Sequence, residues 1–468
     1  MRCRGERRRA EARHRHGARA TAMSAARKLF SPSYWRSDSA IASWLRGAGW
    51  LFLSSLIERV AALAQTVLIA RAIDIQNYGR YALLFSTISL LSPIVSLQLP
   101  YSVVYFVSRF QTRDPARAGA VVLLGRRLTL ATTGFALAVA IVFASPLSRW
   151  LFAEGGFGWP IVLGGVILLA SVQAGLSDAV LQASERFRVL AQARVATAVL
   201  SVAALVLVLH YSPTLTTVLA VVAAGTIFRL IAVAIPARAI SKRLAAETDF
   251  RQALGSARAI VHFSLPSGLL SVVTGVSVWI GNYYLTRQPL GLKDLAIINT
   301  GLQWRSPILV IMASLASAIV PMLGRYLGDD DHAQTRRLQR YHIWLNLAVA
   351  LAFSGVAILA SSLILALYGP AFRGQNFLFG LFLIALVPTA YVTARQQELV
   401  ASGRMWLQLL LFVPFALIAI GGTFWYAETL TGAILGYIQL AAWMVTAALI
   451  AVFVPPPGET ATRPAEMA

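Results

Sequence analysis

Long apolar runs recur along the whole chain and are separated by short polar connections. A run of about 20 apolar residues can cross the hydrocarbon core of a bilayer as one α-helix. Solid apolar blocks do not fit a β-barrel, whose strands alternate over about ten residues. The pattern predicts twelve transmembrane helices, numbered spans 1 to 12 in chain order, over residues 48–70, 81–106, 128–148, 158–182, 191–210, 214–236, 262–286, 295–321, 343–367, 376–394, 406–425 and 431–454.

The composition agrees with this pattern. The 468 residues are 57% hydrophobic and 13% charged, whereas a soluble domain is about a quarter charged. The connections between the runs are too short to hold a soluble domain. We therefore predict an all-α polytopic membrane protein.

The basic residues cluster on one side of the predicted topology. If the N-terminal tail is cytoplasmic, the connections between spans on that side carry nineteen Lys and Arg, against six in the connections on the opposite side. Cytoplasmic connections are enriched in Lys and Arg, so both termini are predicted to be cytoplasmic. The basic residues behind the net charge of +22 would then interact with the anionic headgroups of the bilayer, so binding to nucleic acid is not needed to explain the charge.

An internal repeat divides the spans into two halves. The segments LQASERF (181–187) and LVASGRM (399–405) share a pattern at an offset of 218 residues, and each follows the fourth span of its half. Arg71 and Arg287, 216 residues apart, each close the first span of a half. Two pseudo-symmetric six-helix bundles are therefore predicted. A parallel repeat of this kind suits an alternating-access transporter whose site lies between the halves.

The predicted boundaries follow from these assignments. The N-terminal bundle covers 47–238, a cytoplasmic linker covers 239–261, and the C-terminal bundle covers 262–454. A disordered tail is predicted over 455–468. Residues 1–46 form a basic cytoplasmic tail without the apolar core of a signal peptide. Its first 22 residues are either a disordered extension or the result of a start codon placed too early, with Met23 as the alternative.

A few charged residues lie inside the apolar runs. Glu58 and Arg59 are adjacent near the middle of span 1, and Arg305 lies in span 8. Ionisable groups inside a membrane are costly and usually face a partner or a water-filled cavity. Glu58 and Arg59 form either a structural ion pair or part of a cavity. Arg305 has no carboxylate neighbour in its own helix, which favours a cavity.

Other charged and polar residues allow two interpretations. Asp178 and Arg229 are predicted to form a structural pair on the cytoplasmic side. Hydroxyl and amide residues recur at helical spacing on one face each of spans 7 and 8: Ser264, Ser267, Ser271 and Thr274, then Asn299, Gln303 and Ser306. Such faces commonly serve close helix packing, and they also suit sugar hydroxyls.

The functional interpretation joins these groups in one cavity between the halves. Arg59 and Arg305 would bind phosphate oxygens through paired N–H donors, and Asn299, Gln303 and Ser271 would bind sugar hydroxyls. The substrate would be a phosphate-bearing glycan. Glu58 is the candidate site for coupling to H⁺ or Na⁺.

Features of enzymes are scarce in this sequence. Cys3 is the only cysteine, so neither an internal disulfide nor a thiolate metal cluster can form. No GxxxxGK phosphate-binding loop is present. The outer connections are short and their acidic residues are isolated, which disfavours a membrane glycosyltransferase or polysaccharide polymerase. We predict no catalytic residue, no metal site and no enzyme activity.

Several segments resemble one known family. VLIARAIDIQNYGRYALLFSTISLLSPIVSLQLPYSVVYFVSRF, with its Tyr78-Gly79 pair, Pro100 and Arg109, resembles the opening of polysaccharide-type flippases of the multidrug/oligosaccharidyl-lipid/polysaccharide exporter (MOP) superfamily. LQASERFRVLAQARV, IVPMLGRYLGDDDHAQTRRLQR and LYGPAFRGQNFLFGLFLIAL resemble later connections of these proteins. The similarity runs from about residue 45 to 454. Gly281 and Asn282 depart from it, since many relatives carry an acidic-basic pair there.

The resemblance implies a transporter that flips undecaprenyl-diphosphate-linked oligosaccharide repeat units across the bacterial inner membrane. Its product would serve the biosynthesis of O-antigen, capsule or exopolysaccharide, with a polysaccharide polymerase as a candidate partner. The main alternative is a drug or cation antiporter of the same superfamily, which would need acidic residues in its cavity. A flippase for peptidoglycan precursors is disfavoured, because that group has two extra C-terminal helices.

Overall fold

The computed structural model describes residues 40–111, 114–245, 250–328, 332–401 and 404–454. The chain divides into a short unit, Met1–Leu53, and a large unit, Ser54–Ala468. Except for the start of the first helix, the predicted N-terminal tail lies outside the described residues, as does the predicted C-terminal tail. The contacts reported below belong to the large unit.

The N-terminal half consists of eight helices within the described residues. They are α1 (Ala40–Ala72), α2 (Ile75–Ser96), α3 (Leu99–Phe110), α4 (Pro115–Val142), α5 (Ala144–Phe152), α6 (Gly158–Ala183), α7 (Phe187–Tyr211) and α8 (Leu215–Ala245).

The C-terminal half contributes eight more helices, again counting only the described ranges. They are α9 (Phe250–Leu285), α10 (Gly291–Gly328), α11 (His332–Leu359), α12 (Ser361–Tyr368), α13 (Asn376–Ile384), α14 (Leu386–Ala401), α15 (Met405–Trp425) and α16 (Gly432–Phe453). A short 3-10 turn, Pro370–Phe372, lies between α12 and α13.

The predicted fold class is confirmed. Ten helical segments in the described residues are long and apolar enough to cross a membrane, or eleven if the bent pair α2 and α3 counts as one span, against the twelve spans predicted. Helix α10, 38 residues long, coincides with the predicted span 8. The protein is an all-helical, multi-pass membrane protein built from two bundles. The cytoplasmic location of its termini stays a prediction; "outer end" below means the end predicted to face away from the cytoplasm.

Span 2 is not the single helix that its apolar run predicted. It is broken between α2 and α3, which are bent by 44°. Leu97 and Gln98 at the break have φ angles of 51° and 52°, a left-handed conformation that no α-helix can continue through. Pro100 then stands in the first turn of α3, where a missing N–H costs nothing. Hydropathy does not register such a break, because the residues on both sides are equally apolar.

Two other boundaries differ from the predicted ones, the first of them because of local capping. Helix α4 begins at Pro115, well before residue 128, since the Asp114 carboxylate accepts a bond of 3.0 Å from the backbone N–H of Arg117. Helices α8 and α9 extend into the predicted linker 239–261 and leave residues 246–249 outside the described part. Polar helix ends that project beyond a membrane carry no hydropathy signal.

The internal repeat is visible in the backbone. The N–H of Arg186 donates to the carbonyl of Leu181 at 2.9 Å, and the N–H of Arg404 donates to the carbonyl of Leu399 at 2.8 Å. Both arginines then begin the next helix with similar φ and ψ angles. The two related segments therefore fold into the same turn, which confirms their predicted equivalence.

The two halves meet mainly through five helices. Helix α9 packs against α2, α3 and α4, and α10 packs against α2. Helices α9 and α10 carry the polar stripes noted in the sequence, so these stripes lie on helices through which one half touches the other.

Candidate functional site

The outer end of the contact between the halves is closed by polar side chains. The Asn299 amide on α10 donates to the Tyr78 hydroxyl on α2 at 3.2 Å. The Thr66 and Tyr368 hydroxyls are 3.2 Å apart, and the Trp304 indole donates to Tyr368 at 3.2 Å. The contacts of Tyr78 with Asn299 and of Thr66 with Tyr368 connect the halves, and the Trp304 bond orients the Tyr368 hydroxyl within the C-terminal half.

Backbone contact brings the same helices even closer. A Cβ added to Gly79 would lie 2.1 Å from the carbonyl oxygen of Leu292, so α2 and α10 can touch here only because residue 79 has no side chain. The Tyr78-Gly79 pair noted in the sequence therefore serves this close approach: its first residue bonds across the halves and its second lets the backbones meet.

Two arginines close the outer end from opposite directions. The Arg71 Nε donates to the carbonyl of Leu367 at 2.5 Å, and the Arg287 guanidinium donates to the carbonyl of Trp150. The Trp150 ring stacks on those of Trp279 and Tyr283, with centroid distances of 5.6 and 5.2 Å. The connection between spans 3 and 4 is thus held against α9.

Below this closure, a cavity of about 580 Å³ lies between the halves. Its polar lining comes from α2, α9 and the break between α2 and α3: Ser89, Ser92, Ser96, Gln98, Ser271 and Thr274. Ser171 and Gly175 on α6 and Tyr101 on α3 complete the wall. No charged side chain belongs to the lining among the described residues.

The hydrogen bonds around this cavity leave acceptor oxygens available. The Gln98 amide donates to Ser271 at 3.1 Å, and the Ser271 hydroxyl donates to the carbonyl of Ser267 at 3.0 Å. The Thr274 hydroxyl donates to the carbonyl of Leu270 at 2.8 Å. Because backbone carbonyls accept the hydroxyl protons, the oxygens can accept bonds from a ligand. The wall is neutral: its serine, threonine and glutamine side chains can bind groups that carry hydroxyls, and Pro93, Val172 and Val278 form an apolar part beside them.

A cluster of four charged residues lies inside the N-terminal bundle, apart from this cavity. Arg229 on α8 binds Glu58 at 2.5 Å and Asp178 at 2.9 Å. Arg194 on α7 lies 3.4 Å from Asp178. The predicted pair of Asp178 and Arg229 is confirmed. Glu58 pairs with Arg229 rather than with its neighbour Arg59, because successive residues on a helix point about 100° apart.

The residues predicted to bind substrate are not all brought together. Ser271 lines the cavity, and Asn299 lies in the outer closure. Arg305 is only 6% exposed, within the C-terminal bundle, and its Nη2 donates to the Thr389 hydroxyl at 3.0 Å. Its Nε is buried without a partner among the described residues.

The other two predicted residues are also placed. The Arg59 side chain is exposed, with no hydrogen bond or ion pair to any residue the structure describes, and Gln303 is half-buried on α10.

Sequence reasoning missed part of the cavity. Ser89, Ser92 and Ser96 recur at helical spacing along span 2, so the order of residues is enough to place them on one face. Gln98, by contrast, reaches Ser271 from a non-helical position, and no periodicity predicts that. The described residues also hold no cluster of three or more His, Cys, Asp or Glu side chains that could bind a metal.

The fold matches those of solved transporters at low sequence identity. An inward-facing multidrug resistance MATE family transporter of the MOP superfamily is 15% identical, with a TM-score of 0.69 over 84% of this chain and 92% of that chain. A MOP superfamily transporter from Pyrococcus furiosus, whose binding pocket is described as having reverse polarity, is 15% identical, with a TM-score of 0.62 over 86% and 93%.

A second state of such a transporter matches as well. An outward-facing MATE transporter is 14% identical, with a TM-score of 0.60 over 87% of this chain and 93% of that chain. No curated protein sequence matches the chain. The sequence model described as "Polysaccharide biosynthesis protein" matches residues 44–327, which is more than half of the chain. The protein therefore belongs to the polysaccharide biosynthesis protein family and has the fold of a MOP superfamily transporter.

Proposed function

We propose that this transporter flips undecaprenyl-diphosphate-linked oligosaccharide repeat units across the bacterial inner membrane by alternating access. The observation that carries the proposal is the neutral cavity between the halves, lined by serine, threonine and glutamine side chains and lying below a closed outer end. Sugars present many hydroxyls and no charge, so a wall of neutral hydrogen-bonding groups is complementary to them. The cavity's volume lies within the usual range of about 300–1,000 Å³ for ligand pockets.

The diphosphate requires cationic partners, and the cavity wall provides none. We assign this role to Arg59 and Arg305. The side chain of Arg59 is exposed, and Arg305 has no carboxylate partner within the described residues although it is buried. An unpaired buried guanidinium is costly, which favours a functional reason for keeping it. Asn299 and Gln303, on the same helix as Arg305, are proposed to bind sugar hydroxyls once the outer closure opens.

Glu58 is proposed as the coupling site. Protonation, or binding of Na⁺ to its carboxylate, would remove or compensate the charge that Arg229 neutralises. Arg229 would then keep only its ion pair with Asp178, and the ion pair that joins α1 to α8 would be lost. If so, Glu58→Gln should abolish the pH or Na⁺ dependence of transport. Transport by this variant with an unchanged dependence would exclude Glu58 from coupling.

The superfamily also contains drug antiporters. Because the fold is similar to that of MATE transporters, drug antiport is the alternative function. A cation site needs an acidic side chain facing the cavity, and the described lining has none. Glu58 and Asp178, two acids inside the helices of the N-terminal bundle, are already paired with arginines. These observations favour the glycolipid. A polysaccharide polymerase acting on the flipped units is proposed as the functional partner.

Deletion of the gene followed by analysis of lipid-linked sugars tests the proposal. We expect undecaprenyl-linked repeat units to accumulate on the cytoplasmic side and polymer to disappear from the surface. Wild-type protein should restore the polymer, and Thr274→Trp, which fills the cavity, should not. As a matched control, Val445→Trp on the exposed face of α16 should restore it. Normal surface polymer in the deletion strain together with altered drug susceptibility would support the antiporter.

The two arginines are tested in the same strain. Arg59→Ala and Arg305→Ala should each abolish export while the protein remains in the membrane, and Arg→Lys should restore part of it, because Lys lacks the paired donors. Normal polymer with both alanine variants would remove the arginines from the site.

A further inference from the structure

A second cavity, of about 270 Å³, lies on the N-terminal bundle between α4, α6 and α8. All of its lining residues belong to the N-terminal half, so it is separate from the cavity between the halves. We call this cavity the α4–α8 groove. It is lined by two arginines, Arg126 and Arg238, and by the apolar side chains of Leu130, Ile231 and Ile235, which form its floor.

The two ends of this groove differ in chemistry. Leu130, Ile231 and Ile235 are 53%, 51% and 63% exposed, which for residues in membrane-spanning helices means contact with lipid chains. Arg126 and Arg238 lie nearer the predicted cytoplasmic ends of α4 and α8. Both side chains are exposed, and neither has an ion pair or side-chain hydrogen bond with any residue the structure describes. An apolar strip therefore ends at two free cations.

Two serines lie beside the arginines in the same groove. The Ser177 hydroxyl donates to the carbonyl of Gln173 at 3.0 Å, and the Ser241 hydroxyl donates to the carbonyl of Ala237 at 2.9 Å. Their oxygens remain available as acceptors. The groove thus offers guanidinium donors for a phosphate and hydroxyl acceptors for a headgroup that itself carries hydroxyls.

We propose that the α4–α8 groove binds one anionic glycerophospholipid of the bilayer. Its phosphate would be held by Arg126 and Arg238, its headgroup hydroxyls by Ser177 and Ser241, and one acyl chain by the apolar floor. Basic residues near a membrane surface attract anionic lipid, and the guanidinium matches phosphate oxygens. Charge complementarity favours this occupant over zwitterionic lipid. The proposal does not depend on what the protein transports.

Native mass spectrometry of the purified full-length protein tests this site, with phosphatidylglycerol and phosphatidylcholine of the same chains as probes. Wild-type protein should retain phosphatidylglycerol preferentially. Arg126→Ala/Arg238→Ala should retain about thirty-fold less, since each of the two contacts is worth on the order of 1 kcal/mol at a membrane surface and about 1.4 kcal/mol corresponds to a factor of ten. Arg186→Ala/Arg188→Ala, with the same loss of charge at exposed positions outside the groove, should behave as wild type.

A second variant tests the apolar floor. Ala234→Trp would fill the groove and should lower retention without removing charge. If the double alanine variant fails to fold, Arg126→Gln/Arg238→Gln replaces it. Equal retention by wild-type protein and the groove variants would overturn the proposal. Displacement of phosphatidylglycerol by equimolar undecaprenyl phosphate would also overturn it, because the occupant would then be the carrier lipid and not a bilayer lipid.

Discussion

Arg71 and Arg287 make the same contact across the two halves in opposite directions. Arg71 of the first half binds the carbonyl of Leu367 in the second, and Arg287 of the second binds the carbonyl of Trp150 in the first. The arginines are 216 residues apart and their acceptors 217, so the two bonds are related by the internal repeat. The outer end is closed by a symmetric pair of contacts, each between an arginine after a first span and the connection between spans 3 and 4 of the other half.

Removing this pair should favour opening of the outer end. In a Cys3→Ser background, spin labels at Gln76→Cys and Leu290→Cys would report the distance between the halves there. We expect Arg71→Ala/Arg287→Ala to increase the population with long distances several-fold, because each net hydrogen bond is worth about 1 kcal/mol and both acceptors belong to the opposite half. Arg149→Ala, an exposed arginine on the same side, serves as the control. A distance distribution equal to that of wild type would contradict a role for the pair in closure.

Gly79→Ala should separate α2 from α10. The added Cβ would lie 2.1 Å from the Leu292 oxygen, so the backbones must move apart and the bond between Tyr78 and Asn299 should weaken. The same spin-label pair should report opening, and the melting temperature of the closed state should fall. Gly134→Ala, where nothing lies within 4 Å of the new Cβ, should be neutral or stabilising by up to about 1 kcal/mol. Equal melting temperatures for the two variants would refute the steric argument.

Arg229→Ala should destabilise the N-terminal bundle. It leaves Glu58 without its partner and Asp178 with only the longer contact to Arg194. Leaving a buried charge unpaired costs roughly 3–5 kcal/mol, and Arg229 is partly exposed, so we expect a loss near the lower figure by thermal denaturation. Arg243→Ala, on the exposed surface of the same helix, should have little effect. Adding Glu58→Gln and Asp178→Asn to Arg229→Ala should recover part of the loss; failure to do so would argue against a neutralised charge cluster.

Arg305→Met should raise stability and abolish export together. Arg305 is buried without a carboxylate partner in the described part of the chain, and an apolar side chain of similar length removes the cost of burying its charge, which we put at about 1 kcal/mol or more. Melting temperature and surface polymer, measured on the same variant, separate the two effects. Arg340→Met, exposed on α11, controls for loss of charge. A less stable variant that still exports polymer would show that Arg305 is structural.

The internal repeat and the membrane spans could be predicted from the sequence because each depends on residues close together in the chain. Membrane insertion depends on the hydropathy of one segment at a time, and the turn after the fourth span of each half depends on a few adjacent residues, such as those from Leu181 to Arg186. The break at Leu97 and Gln98 was not readable, since the left-handed backbone there leaves the hydropathy of span 2 unchanged.

The partners of the polar residues were decided only by the tertiary structure. The sequence by itself determined that Glu58, Arg59 and Arg305 lie within spans, and that serines share helix faces, because helical periodicity follows from the order of residues. Which way each face turns depends on packing between helices distant in the chain. Through that packing, Glu58 forms an ion pair with Arg229, Ser271 accepts a hydrogen bond from Gln98, and Arg305 donates one to Thr389. A cavity between two halves is a property of their arrangement, so no single segment could encode it alone.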